Sequence, residues 1–170
     1  MEKIFYANKS AYVTESAIQK ILSDFYGIQN AKVLRTEHGK PYVLSAPHFS
    51  VSHTDDFLFI AVCEEPIGID AEKVSRNVHY QATLKRFPPN EHLEINGKAD
   101  FLLHWTVKES VVKYLGSTLS KELKRLTYVK NELFIDGKPF PATLTVFNQQ
   151  GHIITVCCKR DFKAAEFIPF

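Results

Sequence analysis

The sequence predicts an α+β fold with two sheet-bearing halves, at residues 1–65 and 66–170. Strand and helix patterns alternate along the chain without a long linker, an internal repeat or a low-complexity segment, which favours one continuous architecture. With 170 residues, of which 45% are hydrophobic and 12% aromatic, the chain is long enough to bury a substantial core.

The first half is predicted to hold one helix among short strands. Thr14 is placed to cap this helix and Gly27 to end it, and an apolar stripe between them marks its buried face. Apolar and β-branched runs predict strands at residues 2–6, 33–35, 42–43, 49–52, 57–63 and 67–70.

The second half is predicted to be helical first and then to return to strands. Two short helices are expected at residues 78–87 and 90–95, separated by a break at a Pro-Pro pair, and a longer helix is expected from about 99 to 115. A turn at residues 130–131 and a hairpin between residues 143–147 and 152–158 complete the prediction.

Composition and charge exclude several classes of protein. No run of 18 or more apolar residues occurs and the first residues are strand-like, so we expect a cytoplasmic protein without a membrane span or signal peptide. Cys63, Cys157 and Cys158 are odd in number, and the last two face opposite sides of a predicted strand, which argues against a disulfide framework. The net charge of +2 is too mild for a dedicated nucleic-acid binder but suits a local surface facing an acidic partner.

Asp70 and Glu72 lie two residues apart at the end of an apolar predicted strand. In extended backbone this spacing puts both carboxylates on one face, where oxygen ligands can converge on a hard cation. The same pattern also occurs where an ordinary strand ends in solvent. The pair alone therefore leaves a metal site and a plain strand end as open alternatives.

Glu109 lies on an otherwise apolar face of the long predicted helix, in line with Leu102, Trp105 and Val112. Burying an unpaired carboxylate is costly, so this side chain needs a metal, a proton or a cation beside it. Lys113, one turn further along, can supply the cation in a structural salt bridge. Taken by itself, the helix leaves metal ligation and the salt bridge open.

Four short motifs follow one another along the chain: G-K-P at residues 39–41, S-H at 52–53, G-I-D-A-E at 68–72 and W-T-V-K-E-S-V-V-K at 105–113. Together they resemble the 4′-phosphopantetheinyl transferases that modify carrier proteins of peptide and fatty-acid synthesis. That family joins a G-[IV]-D-x-E strand end to a W-[ST]-x-K-E-[SA]-x-x-K helix. The resemblance covers over half of the chain.

The resemblance implies the family's fold, in which two similar sheet-plus-helix lobes, here 1–65 and 66–170, pack as a pseudo-dimer with the active site between them. It implies a short member of the larger, monomeric subgroup. It also implies an enzyme that transfers the 4′-phosphopantetheine arm of coenzyme A to a serine of an acyl- or peptidyl-carrier protein.

For the chemistry, the resemblance implies that Asp70, Glu72 and Glu109 bind Mg²⁺, which also holds the pyrophosphate of coenzyme A. Carboxylates combined with substrate phosphates are a usual environment for this ion. Glu109, directly or through a water, is then expected to receive the serine proton. Lys113 is expected to stabilise phosphate charge or to adjust the pKa of Glu109.

For coenzyme A, the resemblance implies contacts at the nucleotide end from five residues. Lys40 and His53 are the expected donors, with His53 at the 3′-phosphate. Gly39 and Pro41 are expected to shape a loop beside the adenine, and Ser52 to add a hydrogen-bonding group next to His53.

Glu91 resembles a family glutamate that lies between the two signature motifs, and it is a further candidate catalytic residue. The segment before Gly39 is shorter than in the larger members, which carry additional basic residues there, so weaker coenzyme A binding or help from a partner chain is an open expectation. Two alternatives to the transferase stay open as well. One is a non-catalytic relative that binds coenzyme A or a carrier protein, and the other is a Mg²⁺-dependent phosphohydrolase.

Overall fold

The computed structural model describes residues 2–170 and shows a mixed α+β architecture. Its helices are α1 (Thr14–Tyr26), α2 (Gln81–Leu84), α3 (Lys98–Leu115) and α4 (Leu119–Glu122), with 3₁₀ turns at Lys9–Ala11 and Pro89–Leu93. Its strands are β1 (Lys3–Asn8), β2 (Leu34–Arg35), β3 (Pro41–Tyr42), β4 (His48–His53), β5 (Phe57–Cys63), β6 (Ile67–Lys73), β7 (Leu126–Val129), β8 (Glu132–Ile135), β9 (Lys138–Pro139), β10 (Thr143–Gln149), β11 (His152–Cys158) and β12 (Glu166–Pro169). No helix within the described residues is long and apolar enough to cross a membrane.

Two sheets form the centre of the molecule. The first has the strand order β12-β1-β5-β4, and the second has the order β10-β11-β6. Alternate residues of β5 and β6 face each other in one apolar core between the sheets, which includes Phe59, Ala61, Ile67 and Ile69. Helix α1 packs on the other side of the first sheet, and α3 packs on the other side of the second. The main layers are therefore helix, sheet, sheet and helix.

The period-two alternation decides which side chains of β6 face helix α3. Ile67, Ile69 and Ala71 point into the core between the sheets, so Gly68 and Asp70 point towards the helix. This alternation agrees with the spacing argument by which Asp70 and Glu72 share one face of the strand, since Ile69 and Ala71 point the other way. The same alternation places Cys158 in the core between the sheets and Cys157 against α3, and all three cysteines are free thiols, as predicted.

Gly68 sets the distance between β6 and α3. A Cβ atom built on this residue would lie 1.9 Å from the carbonyl oxygen of Ser110 and 2.5 Å from the amide nitrogen of Tyr114. Both are backbone atoms, which cannot rotate away as the end of a flexible side chain can. Only glycine therefore lets the helix lie this close to the strand.

Two serines join the two sheets along the line where β4 passes β6. The Ser50 hydroxyl accepts a hydrogen bond from the amide of Ile69 at 3.1 Å, and the Ser52 hydroxyl accepts one from the amide of Ala71 at 3.0 Å. These side chains take the place of a backbone ladder, since β4 and β6 belong to different sheets. The pairing satisfies buried amide groups that would otherwise lack a partner.

Several local predictions are confirmed, and others are corrected. Lys130 and Asn131 both adopt positive φ and form the tight turn expected between two strands. The helix predicted at 78–87 is wrong beyond the single turn α2, because none of the four residues of that turn is buried, and Val78, Tyr80 and Phe87 reach the core from the irregular backbone on either side. The cap predicted at Thr14 is also wrong: α1 begins at this residue, and Val13 occupies the N-cap without a side-chain bond.

A buried polar cluster fixes the 3₁₀ turn before α3. Lys108 and Glu91 are fully buried, and the Lys108 ammonium donates to Glu91 Oε1 at 2.6 Å and to the Leu126 carbonyl. His104 donates from Nδ1 to the other Glu91 oxygen at 2.9 Å. The ammonium also lies 4.8 Å from the ring centre of Phe87. Burial lowers the pKa of Lys108, and the Glu91 carboxylate opposes that shift. Each charge is therefore stabilised in this buried position by the other.

Gly68→Ala is expected to lower the free energy of unfolding by about 3 kcal/mol, because the added methyl group forces the backbone of α3 away from β6. Urea unfolding of the purified protein measures the change. Gly97→Ala is the matched control, since its Cβ meets nothing within 4 Å, and it is expected to change stability by less than about 1 kcal/mol. Equal stability of the two variants would contradict the close approach.

Glu91→Ala is expected to cost about 3–5 kcal/mol of stability, because it leaves the buried Lys108 ammonium without its counter-charge. The double variant Glu91→Leu, Lys108→Met removes both charges and is expected to be more stable than Glu91→Ala alone. Urea unfolding midpoints of the two variants and of the parent protein provide the comparison. A double variant less stable than Glu91→Ala would show that the pair is not coupled in this way.

Candidate functional site

Asp70 lies at the centre of the seam between β6 and α3. Its Oδ1 atom accepts hydrogen bonds from the Lys113 ammonium at 2.7 Å and from the Ser52 hydroxyl at 2.9 Å. Its Oδ2 atom is buried and has no hydrogen-bond partner in the described part of the chain. The carboxylate is thus held firmly by one oxygen, while the other remains available to a ligand.

Glu109 and Glu72 lie close enough to Asp70 to feel its charge. Burial, followed by repulsion from the Asp70 carboxylate, raises the pKa of Glu109 to about 7, whereas Lys113 opposes the shift. Burial also raises the pKa of Glu72, and the Arg76 guanidinium, 2.5 Å from Glu72 Oε2, acts in the opposite direction. A bound cation would favour the ionised form of all three carboxylates.

Lys113 does not form the ion pair with Glu109 that the helical spacing suggested. Its ammonium instead crosses to β6, where it binds Asp70 and donates to the Ile69 carbonyl at 3.0 Å. The close approach at Gly68 brings α3 near enough to β6 for this contact between helix and strand to form. Glu109 therefore keeps a partly buried carboxylate without an ion pair among residues 2–170.

The donor chemistry of the seam fits a hard cation, although the described residues contain no group of three acidic, histidine or cysteine side chains gathered tightly enough to form a complete metal centre. Two observations support the fit. The buried Oδ2 atom of Asp70 lacks a partner in the described part of the chain, and the charges of Asp70 and Glu72 add to the effect of burial in raising the pKa of Glu109, so a cation there would offset their repulsion.

A cavity of about 300 Å³ lies beside Lys113, between the loop that joins β2 to β3 and the end of α3. The loop carries the G-K-P motif, and Gly39 adopts a φ of +81°, which allows the tight turn back into β3. The residues that line the cavity are Thr14, Arg35, His38, Gly39, Lys40, Pro41, Ser50, Val51, His53, Lys113, Gly116 and Ser117. Four of the five residues predicted to contact the nucleotide thus border one space.

The fifth, Ser52, points elsewhere. Its hydroxyl donates to the Asp70 carboxylate and accepts a hydrogen bond from the Ala71 amide, so it orients the Asp70 side chain at the seam. His53 lies between this cavity and a smaller one of about 240 Å³ that contains Glu72 and Arg76. Burial lowers the pKa of His53, with further contributions from nearby lysines.

Sequence reasoning missed several residues of the cavity. The Thr14 hydroxyl lies 2.8 Å from His53 Nε2 and so orients the imidazole from helix α1. His38 and Ser117 line the same space, together with Arg35, which sequence reasoning offered only as a flanking residue. No motif marks these residues, and the position of Arg35 and His38 just before the G-K-P motif was the only available signal. Glu91 lies in the buried cluster with Lys108, and its catalytic role stays a prediction.

Cationic and acidic groups therefore meet at one edge of the fold. Arg35, His53 and Lys113 can bind phosphate oxygens in the cavity, and the carboxylates along the seam can hold a divalent cation against the same ligand. An anionic molecule with several phosphates, positioned for reaction next to a metal ion, is the ligand class that this arrangement suits.

Comparison with known proteins points to the same chemistry. The family model of the 4′-phosphopantetheinyl transferase superfamily matches residues 66–157. The chain is 30% identical over 151 residues to the 4′-phosphopantetheinyl transferase gsp of Aneurinibacillus migulanus, a match that covers 80% of this chain and 63% of that protein. It is 32% identical over 132 residues to a 4′-phosphopantetheinyl transferase of Bacillus subtilis, covering 70% and 58% of the two chains.

A more distant match is the L-aminoadipate-semialdehyde dehydrogenase-phosphopantetheinyl transferase of Pongo abelii, 27% identical over 166 residues, with 76% of this chain and 54% of that one covered. The chain thus spans less than two thirds of the length of these relatives. The family model nevertheless covers more than half of the chain, including both the strand end with Asp70 and the helix with Glu109. The chain belongs to the 4′-phosphopantetheinyl transferase superfamily.

Proposed function

We propose that this protein transfers the 4′-phosphopantetheine arm of coenzyme A to a serine of an acyl- or peptidyl-carrier protein in a Mg²⁺-dependent reaction. The observation that carries the proposal is the seam between β6 and α3, where Asp70 and Lys113 meet next to a cavity lined by the G-K-P loop and His53. Family membership and the activity for which these relatives are named support the same activity.

In this proposal Asp70, Glu72 and Glu109 hold Mg²⁺, with the unpartnered Oδ2 atom of Asp70 as the best prepared ligand. Bound there, the ion supplies charge neutralisation for the coenzyme A pyrophosphate and assists departure of 3′,5′-ADP. Ser52 keeps Asp70 in place through its hydrogen bond to Oδ1.

The chemical step forms a bond between the carrier serine oxygen and the β-phosphorus of coenzyme A, and it breaks the bond between that phosphorus and the oxygen of the leaving 3′,5′-ADP. Glu109 accepts the serine proton directly or through a water, and a pKa near 7 suits a base at neutral pH. Lys113 lies beside the reacting phosphates, stabilises their charge and opposes the upward shift of the Glu109 pKa.

At the other end of coenzyme A, Gly39 and Pro41 shape the loop beside the nucleotide, with Lys40 between them, and His53 binds the 3′-phosphate. Thr14 orients the His53 ring for this contact. Glu91 is kept in the proposal as a further residue for the reaction, although both of its oxygens are bound in the buried cluster.

The proposal includes a cytoplasmic monomer with two similar lobes, at residues 1–65 and 66–170, that pack as a pseudo-dimer around the site. Helix α1 packs on the first sheet and α3 on the second, which supports this division, while strand β12 of the second half completes the first sheet. The expected partners are coenzyme A and a carrier protein, without nucleic acid or membrane. The mild net charge of +2 is compatible with an acidic carrier domain.

The direct test incubates the purified chain with coenzyme A, Mg²⁺ and a panel of carrier domains that lack the prosthetic group. Intact mass spectrometry is expected to show one phosphopantetheine arm added to at least one carrier, and a chelator is expected to abolish the addition. A variant carrier with alanine in place of its acceptor serine is the control. No addition to any carrier would refute the proposed reaction.

Two other outcomes separate the alternatives. Binding of coenzyme A in calorimetry without transfer to any carrier would identify a non-catalytic relative. Release of phosphate from nucleotides without a carrier would identify a phosphohydrolase.

Asp70→Ala is expected to lower transfer at least about 100-fold, because it removes a proposed ligand of the metal ion that stabilises the charge developing on the phosphates. Its unfolding midpoint is expected to stay close to that of the parent protein, since the lost Lys113 pair is partly exposed and a buried oxygen without a partner is lost with it. Mn²⁺ binding followed by electron paramagnetic resonance in the presence of coenzyme A gives a readout besides activity.

The matched control is Asp24→Ala on helix α1, where the carboxylate forms an exposed pair with Lys20. This variant is expected to bind Mn²⁺ and to transfer like the parent protein. A folded Asp70→Ala protein with full activity would rule out the proposed metal ligand.

A further inference from the structure

The ammonium group of Lys40 is bound by main-chain atoms. It donates to the carbonyl of Ile67 at 2.9 Å and to the carbonyl of Lys113 at 2.6 Å. The first carbonyl belongs to β6, the second to the last turn of α3, and Lys40 itself lies on the loop between β2 and β3. One side chain therefore ties three separate elements together, at the edge of the cavity that it lines.

The two carbonyls are placed on either side of the acidic seam. Ile67 lies two residues before Ile69, whose carbonyl accepts a hydrogen bond from the Lys113 ammonium. Lys113 is thus held at both ends, by Lys40 at its main chain and by β6 and Asp70 at its side chain. A cation at the end of a helix is also favourable, because the last carbonyls carry partial negative charge.

We infer that Lys40 is a positioning residue, which holds the backbone of Lys113 against β6 so that the Lys113 ammonium reaches Asp70, and that it does not bind the nucleotide phosphate of coenzyme A. This inference rests on the proposed transfer reaction and changes the role expected for Lys40 within it.

The bonding and the burial of Lys40 agree with this role. Two of the three ammonium hydrogens have carbonyl partners that join β6 to α3, which fixes the position of the ammonium and leaves a single hydrogen for any other group. Burial lowers the pKa of Lys40 to about 8, and the Lys113 charge contributes to the decrease. His53 and Arg35 line the same cavity and can bind phosphate without breaking a contact between β6 and α3.

The test replaces Lys40 in two ways and compares coenzyme A with 3′-dephospho-coenzyme A as substrates. Lys40→Met removes the donors at similar length, and Lys40→Arg keeps the charge but cannot repeat the same pair of bonds. Both variants are expected to lower kcat at least about tenfold, with KM for coenzyme A and the preference for the 3′-phosphate unchanged. Lys32→Met, at an exposed lysine, is the control and is expected to leave all three quantities unchanged.

The opposite pattern would overturn the inference. If Lys40 binds the 3′-phosphate, Lys40→Met raises KM for coenzyme A and removes the preference over the dephospho form, while Lys40→Arg retains both. Unchanged kinetics in both variants would equally refute a positioning role.

Hydrogen exchange provides a readout that does not need the enzymatic reaction. The amide of Gly116 donates to the Lys113 carbonyl, and the amide of Ser117 donates to the Val112 carbonyl. Lys40→Met is expected to accelerate exchange at both amides at least about tenfold without changing the core of α1. If the parent protein transfers no phosphopantetheine arm, the proposed function is refuted. The role of Lys40 in holding the Lys113 backbone is refuted only if Lys40→Met leaves exchange at these two amides unchanged.

Discussion

The contact between β6 and α3 at Gly68 is the constraint on which the rest of the site depends. The helix backbone occupies the space that a side chain at this position would fill, so strand and helix lie close together. At that separation the Lys113 side chain reaches across to Asp70 instead of following its own helix to Glu109. The absence of a side chain at this one position thus allows Lys113 and Asp70 to meet, next to the cavity that Lys113 lines.

The carboxylates at the seam repel one another, and a bound cation would attract all of them. Asp70 and Glu72 each have a protein cation beside one oxygen, while Glu109 is left partly protonated near neutral pH by burial and by its acidic neighbours. An arrangement of this kind adds little to the stability of the free protein. The carboxylates instead favour binding of a cation, and this effect contributes only when the ligand is present.

The sequence was a good guide to the strand and the helix that carry the site, and a poor guide to the side-chain contacts between them. Period-two alternation predicted which residues share a face of the strand with Asp70, because local backbone geometry alone determines this. The partners of Lys40, Lys113 and Ser52 could not be predicted, since each side chain bonds to an element far away in the sequence. The burial of Lys108 could not be predicted either, because its partner Glu91 lies 17 residues earlier, on a separate element.

The last strand of the structure gives the chain a particular order of assembly. Strand β12 pairs in parallel with β1, in a register that joins Lys3 to Glu166. The first sheet therefore combines the earliest and the latest strands of the chain, and its edge is covered only after the second sheet and α3 have been synthesised. Contacts between residues so far apart in sequence are the slowest to form. Until they do, β1 exposes an unpaired edge, at which wrong strand pairing can occur.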